Sequence, residues 1–135
     1  MRLAKSGTTL LTNSMSTDPR TKGEGWIGVD LDGTLAHYDH YRGDDFVGTP
    51  IDAMVKRVRK WVDAGQDVRL FTARAPHPAI RRWMRAHLGA VLPITNTKDR
   101  YMLLLIDDRA VGVERNTGKL DNEQRATEAV KDATN

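Results

Sequence analysis

No cysteine occurs in the 135 residues, so disulfides and thiolate metal sites are excluded, and any metal must be held by oxygen or imidazole. The absence fits a reducing cytoplasm, which is the expected location. No apolar run approaches the ~20 residues that span a bilayer, and no membrane partner is expected. Near the N-terminus, Arg2 and Lys5 precede a stretch broken by Ser6, Gly7, Thr8 and Thr9, which argues against a signal peptide. A strong excess of one charge is missing too. The formal charge of +3 permits an anionic ligand but does not by itself point to nucleic acid. Aromatic residues make up only 6% of the chain, so a local group of them stands out, as at Tyr38 and Tyr41.

What remains is ordinary for one globular domain with a single core: 39% apolar and 29% charged residues. Residues 1–24 are rich in Ser, Thr, Gly, Lys and Arg without a sustained period, and read as a flexible tail. The patterned region, 25–118, opens with "WIGVDL", a short apolar run of the kind expected for a strand covered on both faces. Residues 36–49 form a polar, aromatic loop. Pro50 then opens a helix running to Ala64, with Gly65 as its stop and Ile51, Met54, Val55, Val58, Trp61 and Val62 in one stripe. The second strand is 67–73. A second helix, 77–88, turns Ile80, Trp83, Met84 and Leu88 inward. Short strands follow at 91–95, 101–108 and 111–114, and the polar segment 119–135 carries a final surface helix over 121–132. Strands alternating with helices predict an α/β fold: a five-stranded, Rossmann-like parallel sheet in a three-layer α/β/α arrangement.

In such sheets, ligands collect beyond the carboxyl ends of the strands. Asp30 and Asp32 finish the first strand, Thr72 the second, and Asp107 and Asp108 the most apolar one. A single acid at a strand end is ordinarily a solvated cap. Several acids meeting at one point repel each other unless a cation is present, and a hard divalent ion, Mg²⁺ by default, resolves the conflict. Asp30, Asp32, Asp107 and Asp108 are the acids that can meet in this way. Gly33 allows close backbone approach just after the strand, Thr72 adds a hydroxyl and Lys98 a positive charge. Those are the parts that phosphoryl transfer needs, since its catalysis is mostly positioning and charge stabilisation.

"DLDGT" at 30–34, "LFTAR" at 70–74, "TK" at 97–98 and "IDD" at 106–108 resemble, in order, the four motifs of the haloacid dehalogenase superfamily of phosphohydrolases. The resemblance covers residues 26–115. It implies that Asp30 is the nucleophile forming an aspartyl-phosphate, and that Asp32 is the general acid and base, its backbone carbonyl also binding Mg²⁺. It implies further that Thr72 bonds the phosphoryl group, that Lys98 holds Asp30 and offsets charge, and that Asp107 and Asp108 hold the metal directly or through water. The intervals between motifs are too short for a cap domain, so a capless member with an open site is implied, suited to large substrates or to a lid from an oligomer partner. "TAR" and "DDR" are similar, over shorter stretches, to the Ser-x-Arg and DDR motifs of phage polynucleotide kinase phosphatase domains, which makes Arg74 and Arg109 candidate phosphate forks. The expected substrate-binding set is Gly33, Thr34, Ala73, Arg74 and Arg109, to which the aromatic loop adds Arg42.

The reading from these motifs is a Mg²⁺-dependent phosphatase acting on a phosphate monoester: a nucleotide, a nucleic-acid end or a sugar phosphate. A phosphorelay receiver uses a similar sheet and an aspartyl-phosphate, but its acidic pair follows the first strand and its acceptor lies mid-chain. Here the order is reversed. A non-catalytic phosphate-binding module on the same fold is the third reading. His37, His40, Asp39, Asp44 and Asp45 have no known ligand spacing and read as a solvated loop.

Overall fold

The computed structural model describes residues 24–134, and for the last four of these the backbone alone. The expected tail, apart from Glu24, lies outside the described residues. Strand β1 is Trp26–Val29, helix α1 Asp52–Asp63, β2 Asp67–Phe71, α2 Pro78–Leu88, β3 Ile94–Thr95, β4 Met102–Ile106 and α3 Glu123–Thr134.

The expected α/β class holds: the strands form one parallel sheet in the order β3-β2-β1-β4. Among the described residues no cap domain interrupts it. The sheet has four strands among the described residues, not five. Segment 111–114 instead turns back on itself: Val113 pairs antiparallel with Leu120, Glu114 N–H donates to Lys119 O and Asp121 N–H to Gly112 O. The turn places Asn116 and Gly118 at positive φ, 65° and 79°. Val113 stays 57% exposed, and a local hairpin closes at lower entropic cost than a long-range pairing.

Helices form where the apolar stripes lie. Val55 and Val58 of α1 and Ile80, Trp83, Met84 and Leu88 of α2 share one core with Ile27, Val29, Val68 and Leu70 of the sheet. Both helices therefore cover the same sheet face. Helix α2 begins on a cap, His77 Nδ1 accepting from Ala79 N–H at 3.0 Å, and ends at Gly89 in the left-handed region, φ 72°. On the opposite face Trp26 lies against Phe71 and Arg69, and its indole N–H donates to Asp99. No helix among the described residues is long and apolar enough to cross a membrane.

The chain runs from β1 outward to β2 and β3, then returns to add β4 on β1's other side. The strand order reverses between β1 and β4, so the crevice for a ligand opens at the carboxyl ends of these two strands.

Candidate active site

Asp30 leaves β1 with its N–H still bonded to Ile106 O of β4, at 2.9 Å. This pairing sets the ends of the two strands side by side. Asp30, Asp107 and Asp108 consequently offer carboxylate oxygens within 4.8 Å of one another, the one such group of three or more His, Asp or Glu among the described residues. The histidines and acids of the 36–49 loop do not converge in this way.

Thr34, buried, ties the two strand ends together. Asp108 N–H donates to Thr34 Oγ1 at 3.2 Å, and that hydroxyl lies 3.3 Å from Asp108 Oδ1 and 3.4 Å from Asp30 Oδ2. Between them runs Gly33, φ +88°, where a Cβ would meet the Asp108 carboxylate at 2.5 Å. Only glycine fits there, both for its backbone angle and for its space.

Burial pushes the Asp30 carboxyl up to about 7, with a hydrogen bond from its protonated form to Asp108 and the charges of Asp107 and Asp108 acting in the same direction. Three converging acids on a part-buried floor are poorly accommodated without a cation. Oxygen-only ligands of this hardness fit Mg²⁺ well. The three carboxylates could thus hold a divalent cation.

Above the acids lies a cavity of about 360 Å³, lined by Asp30, Asp32, Thr72, Ala73, Arg74 and Arg109 among others. Thr72, 2% exposed, follows β2. Its N–H donates to Thr95 O, and its hydroxyl accepts from Arg74 N–H at 3.1 Å. A second cavity of about 380 Å³ shares Asp32, Ala73, Arg74 and Arg109 with the first and adds Tyr38 and Tyr41. These tyrosines stand on a loop closed at its base by His37 N–H on Thr49 O and by the Trp83 indole on Gly48 O, 2.7 Å.

The expected residues do not all take their expected places. The carboxylate of Asp32, expected as general acid and base with only its backbone carbonyl at the metal, is held by Arg74: Nε donates to Oδ2 at 2.7 Å and Nη2 to Oδ1 at 2.9 Å. Arg74 Nη1 donates to Phe46 O at 2.8 Å. All three arms of the expected phosphate fork are therefore satisfied within the protein. Arg42 pairs with Asp39 at 3.2 Å and lies over the Phe46 ring. It faces a separate cavity of about 350 Å³ on the loop and is not brought to Asp30. Lys98 is exposed, lies outside the lining of the cavity above Asp30, and makes no hydrogen bond or ion pair among the described residues. Asn96, from the end of β3, lines that cavity instead. Arg109 lines both cavities and is the cation best placed for an anionic ligand. The motif pattern gave no sign of Asn96, nor of Arg125 on α3, whose guanidinium donates to the main chain beside the acids.

No protein-family model matches the chain, and no curated protein matches it. Among solved structures it is similar to a conserved protein coded by a locus of Bacteroides thetaiotaomicron. Identity is 24% and the TM-score 0.48, over 82% of this chain and 92% of that one.

Proposed function

We propose that this chain is a Mg²⁺-dependent phosphomonoesterase of the haloacid dehalogenase type, capless, built on a Rossmann-like parallel sheet. The observation that carries the reading is the convergence of Asp30 with Asp107 and Asp108 at the strand-order reversal, under a cavity that also holds Thr72 and Arg109. Bound between the acids, Mg²⁺ would neutralise their charge and that of a substrate phosphate.

The chain's own residues then divide the work. Asp30 attacks phosphorus, forming the aspartyl-phosphate bond as the ester oxygen leaves. Asp32 gives that oxygen its proton. In the second half Asp32 takes a proton from water, the water oxygen attacks phosphorus, and the bond to Asp30 breaks to release inorganic phosphate. Each Asp32 oxygen accepts one hydrogen bond from Arg74 and keeps a second lone pair for the proton. Thr72 donates to a phosphoryl oxygen, and Arg109 supplies the charge that the sequence pattern assigned to Lys98.

The open cavity between Tyr38, Tyr41 and the site favours a leaving group with a planar ring, as in a nucleotide or nucleic-acid end, over a small sugar. The deciding experiment incubates the purified protein and Asp30→Asn with Mg²⁺ and a panel of phosphomonoesters, including 3′- and 5′-phosphorylated oligonucleotides. Phosphate release by the wild type alone is expected. Release by neither, with Mg²⁺ bound, would favour a phosphate-binding module.

A further inference from the structure

The loop that carries Asp107 and Asp108 has no regular partner beyond β4. Within it, Arg109 N–H donates to Asp107 Oδ1 at 2.7 Å and Ala110 N–H to Asp107 O at 3.3 Å. From the β1 side, Asp108 N–H is held by Thr34. The other end of that residue, its carbonyl, accepts from Arg125 Nη2, and Arg125 Nη1 donates to Ala110 O at 2.9 Å. One guanidinium thus bridges two carbonyls on either side of Arg109.

The remainder of the C-terminal segment sets that guanidinium in place. The 112–121 hairpin reverses the chain beside the loop, with Gly112 so close to Asp121 that a Cβ would meet its carboxylate at 2.1 Å. Asn122 caps α3, its Oδ1 accepting from Arg125 N–H at 2.9 Å, and Glu123 reaches back to Leu120 N–H at 3.3 Å. These local bonds fix the first turn of the helix, where Arg125 sits. Arginine suits the task because its planar fork reaches two acceptors at once, which a lysine cannot do.

We infer that Arg125 is a positioning residue for the cation-binding acids: with Thr34 it grips Asp108 by both ends of the residue's main chain and so holds Asp107 and Asp108 opposite Asp30. The inference rests on the reading of those three acids as a divalent-cation site. Arg125 does not touch the cation or the substrate. Its contribution is to spare the cation the cost of ordering the loop, so its loss should appear in cation affinity. Groups that orient metal ligands typically contribute 10–100-fold to metal binding.

The test titrates the full-length protein with Mg²⁺, and separately with Mn²⁺, by calorimetry, alongside melting curves without cation. Arg125→Ala is expected to bind about tenfold more weakly with the cation-free melting midpoint little changed. Arg125→Lys should fall between the two, and Arg115→Ala, on the same hairpin, should match the wild type. In phosphatase assays the Mg²⁺ concentration for half-maximal rate should rise while the rate at saturating Mg²⁺ stays near wild type. Equal cation affinity in wild type and Arg125→Ala would overturn the inference and leave the cation site standing. A lower melting midpoint with unchanged affinity of the folded protein would assign Arg125 to fold stability and overturn it likewise. Should Arg125→Ala not fold, unchanged affinity in Arg125→Lys decides against it. A wild type that takes neither cation would overturn the cation site itself, and this inference with it.

Discussion

Arg74 closes its guanidinium on Asp32, Nε to Oδ2 at 2.7 Å and Nη2 to Oδ1 at 2.9 Å, and spends its third nitrogen on Phe46 O. The pair is mostly shielded from water, with side-chain exposures of 10% and 19%, so the contact is less screened than a surface ion pair. It links the acid two residues beyond the proposed nucleophile to the loop that bears the tyrosines.

If Arg74 orients Asp32 instead of holding phosphate, Arg74→Ala should act through the proton transfer. Hydrolysis of an alkyl phosphate, whose leaving oxygen needs a proton, is expected to fall about 10²-fold or more. An aryl phosphate with a good leaving group should lose far less, and its KM should barely move. Equal losses for both esters with a raised KM would return Arg74 to the role of phosphate ligand.

Asp30→Asn keeps the shape of the side chain and removes the nucleophilic charge. Aryl phosphate hydrolysis should fall by at least about 10³-fold, and chelation of divalent cations should abolish wild-type activity. Substantial turnover by the variant, or activity persisting in excess chelator, counts against the mechanism as a whole.

The motif acids were legible because strand ends are set by local hydrophobic runs. "WIGV" and "MLLLI" each stop at an acid, and parallel pairing then places Asp30 beside Asp107 and Asp108. Both stripes of α1 and α2 were readable for the same reason. The assignments that changed depend on contacts between residues far apart in sequence. Nothing near "TAR" says that Asp32 will fill the Arg74 fork, 42 positions away. The fifth strand failed because "VGVE" has the composition of a strand but pairs locally instead, Val113 with Leu120 across its own turn. Arg125 lies on a helix whose apolar stripe is weak, and a lone arginine there looks like any solvated one.

Gly33→Ala forces a side chain into a left-handed backbone position and against the Asp108 carboxylate. The backbone alone should cost about 1–2 kcal/mol. The displaced carboxylate should weaken Mg²⁺ binding as well. Denaturant unfolding with and without Mg²⁺ separates the two: the Mg²⁺-induced gain in stability should shrink in the variant. An undiminished gain would show that Asp108 is not needed at the cation.

The raised carboxyl of Asp30 gives cation-free protein a specific pH dependence. Its folded pKa of about 7 lies above the ordinary 3.8, so between these values the folded chain holds more proton than the unfolded one. Stability from this group is complete below about pH 4 and is lost as pH rises toward 7. The melting midpoint without cation should therefore decline more steeply over this window in the wild type than in Asp30→Asn. Saturating Mg²⁺ should flatten the wild-type slope, since a bound cation favours the charged carboxylate. Identical slopes in both proteins would remove the Asp30 contribution.

Tyr38 and Tyr41 are 45% and 58% exposed beside the cavity that reaches Asp32 and Arg109. The Tyr41 hydroxyl is held by Asp44, and Arg74 bonds Phe46 O from below, so the loop presents the rings from an anchored frame. A base stacked on an aromatic side chain gains about 1–3 kcal/mol, equivalent to roughly 5–150-fold in the specificity constant. Contacts of Arg109 with additional phosphates should add a part that fades with salt. Specificity constants for a 3′-phosphorylated oligonucleotide, a deoxynucleoside monophosphate and a hexose phosphate, measured at two salt concentrations, are expected to favour the first two, the oligonucleotide losing most on added salt. Tyr38→Ala and Tyr41→Ala should lower the nucleotide constants and leave the hexose phosphate unchanged. Arg109→Ala should flatten the salt response. A hexose phosphate that leads at both salts would exclude a nucleotide substrate, and tyrosine variants without effect would exclude stacking even where the nucleotide preference holds.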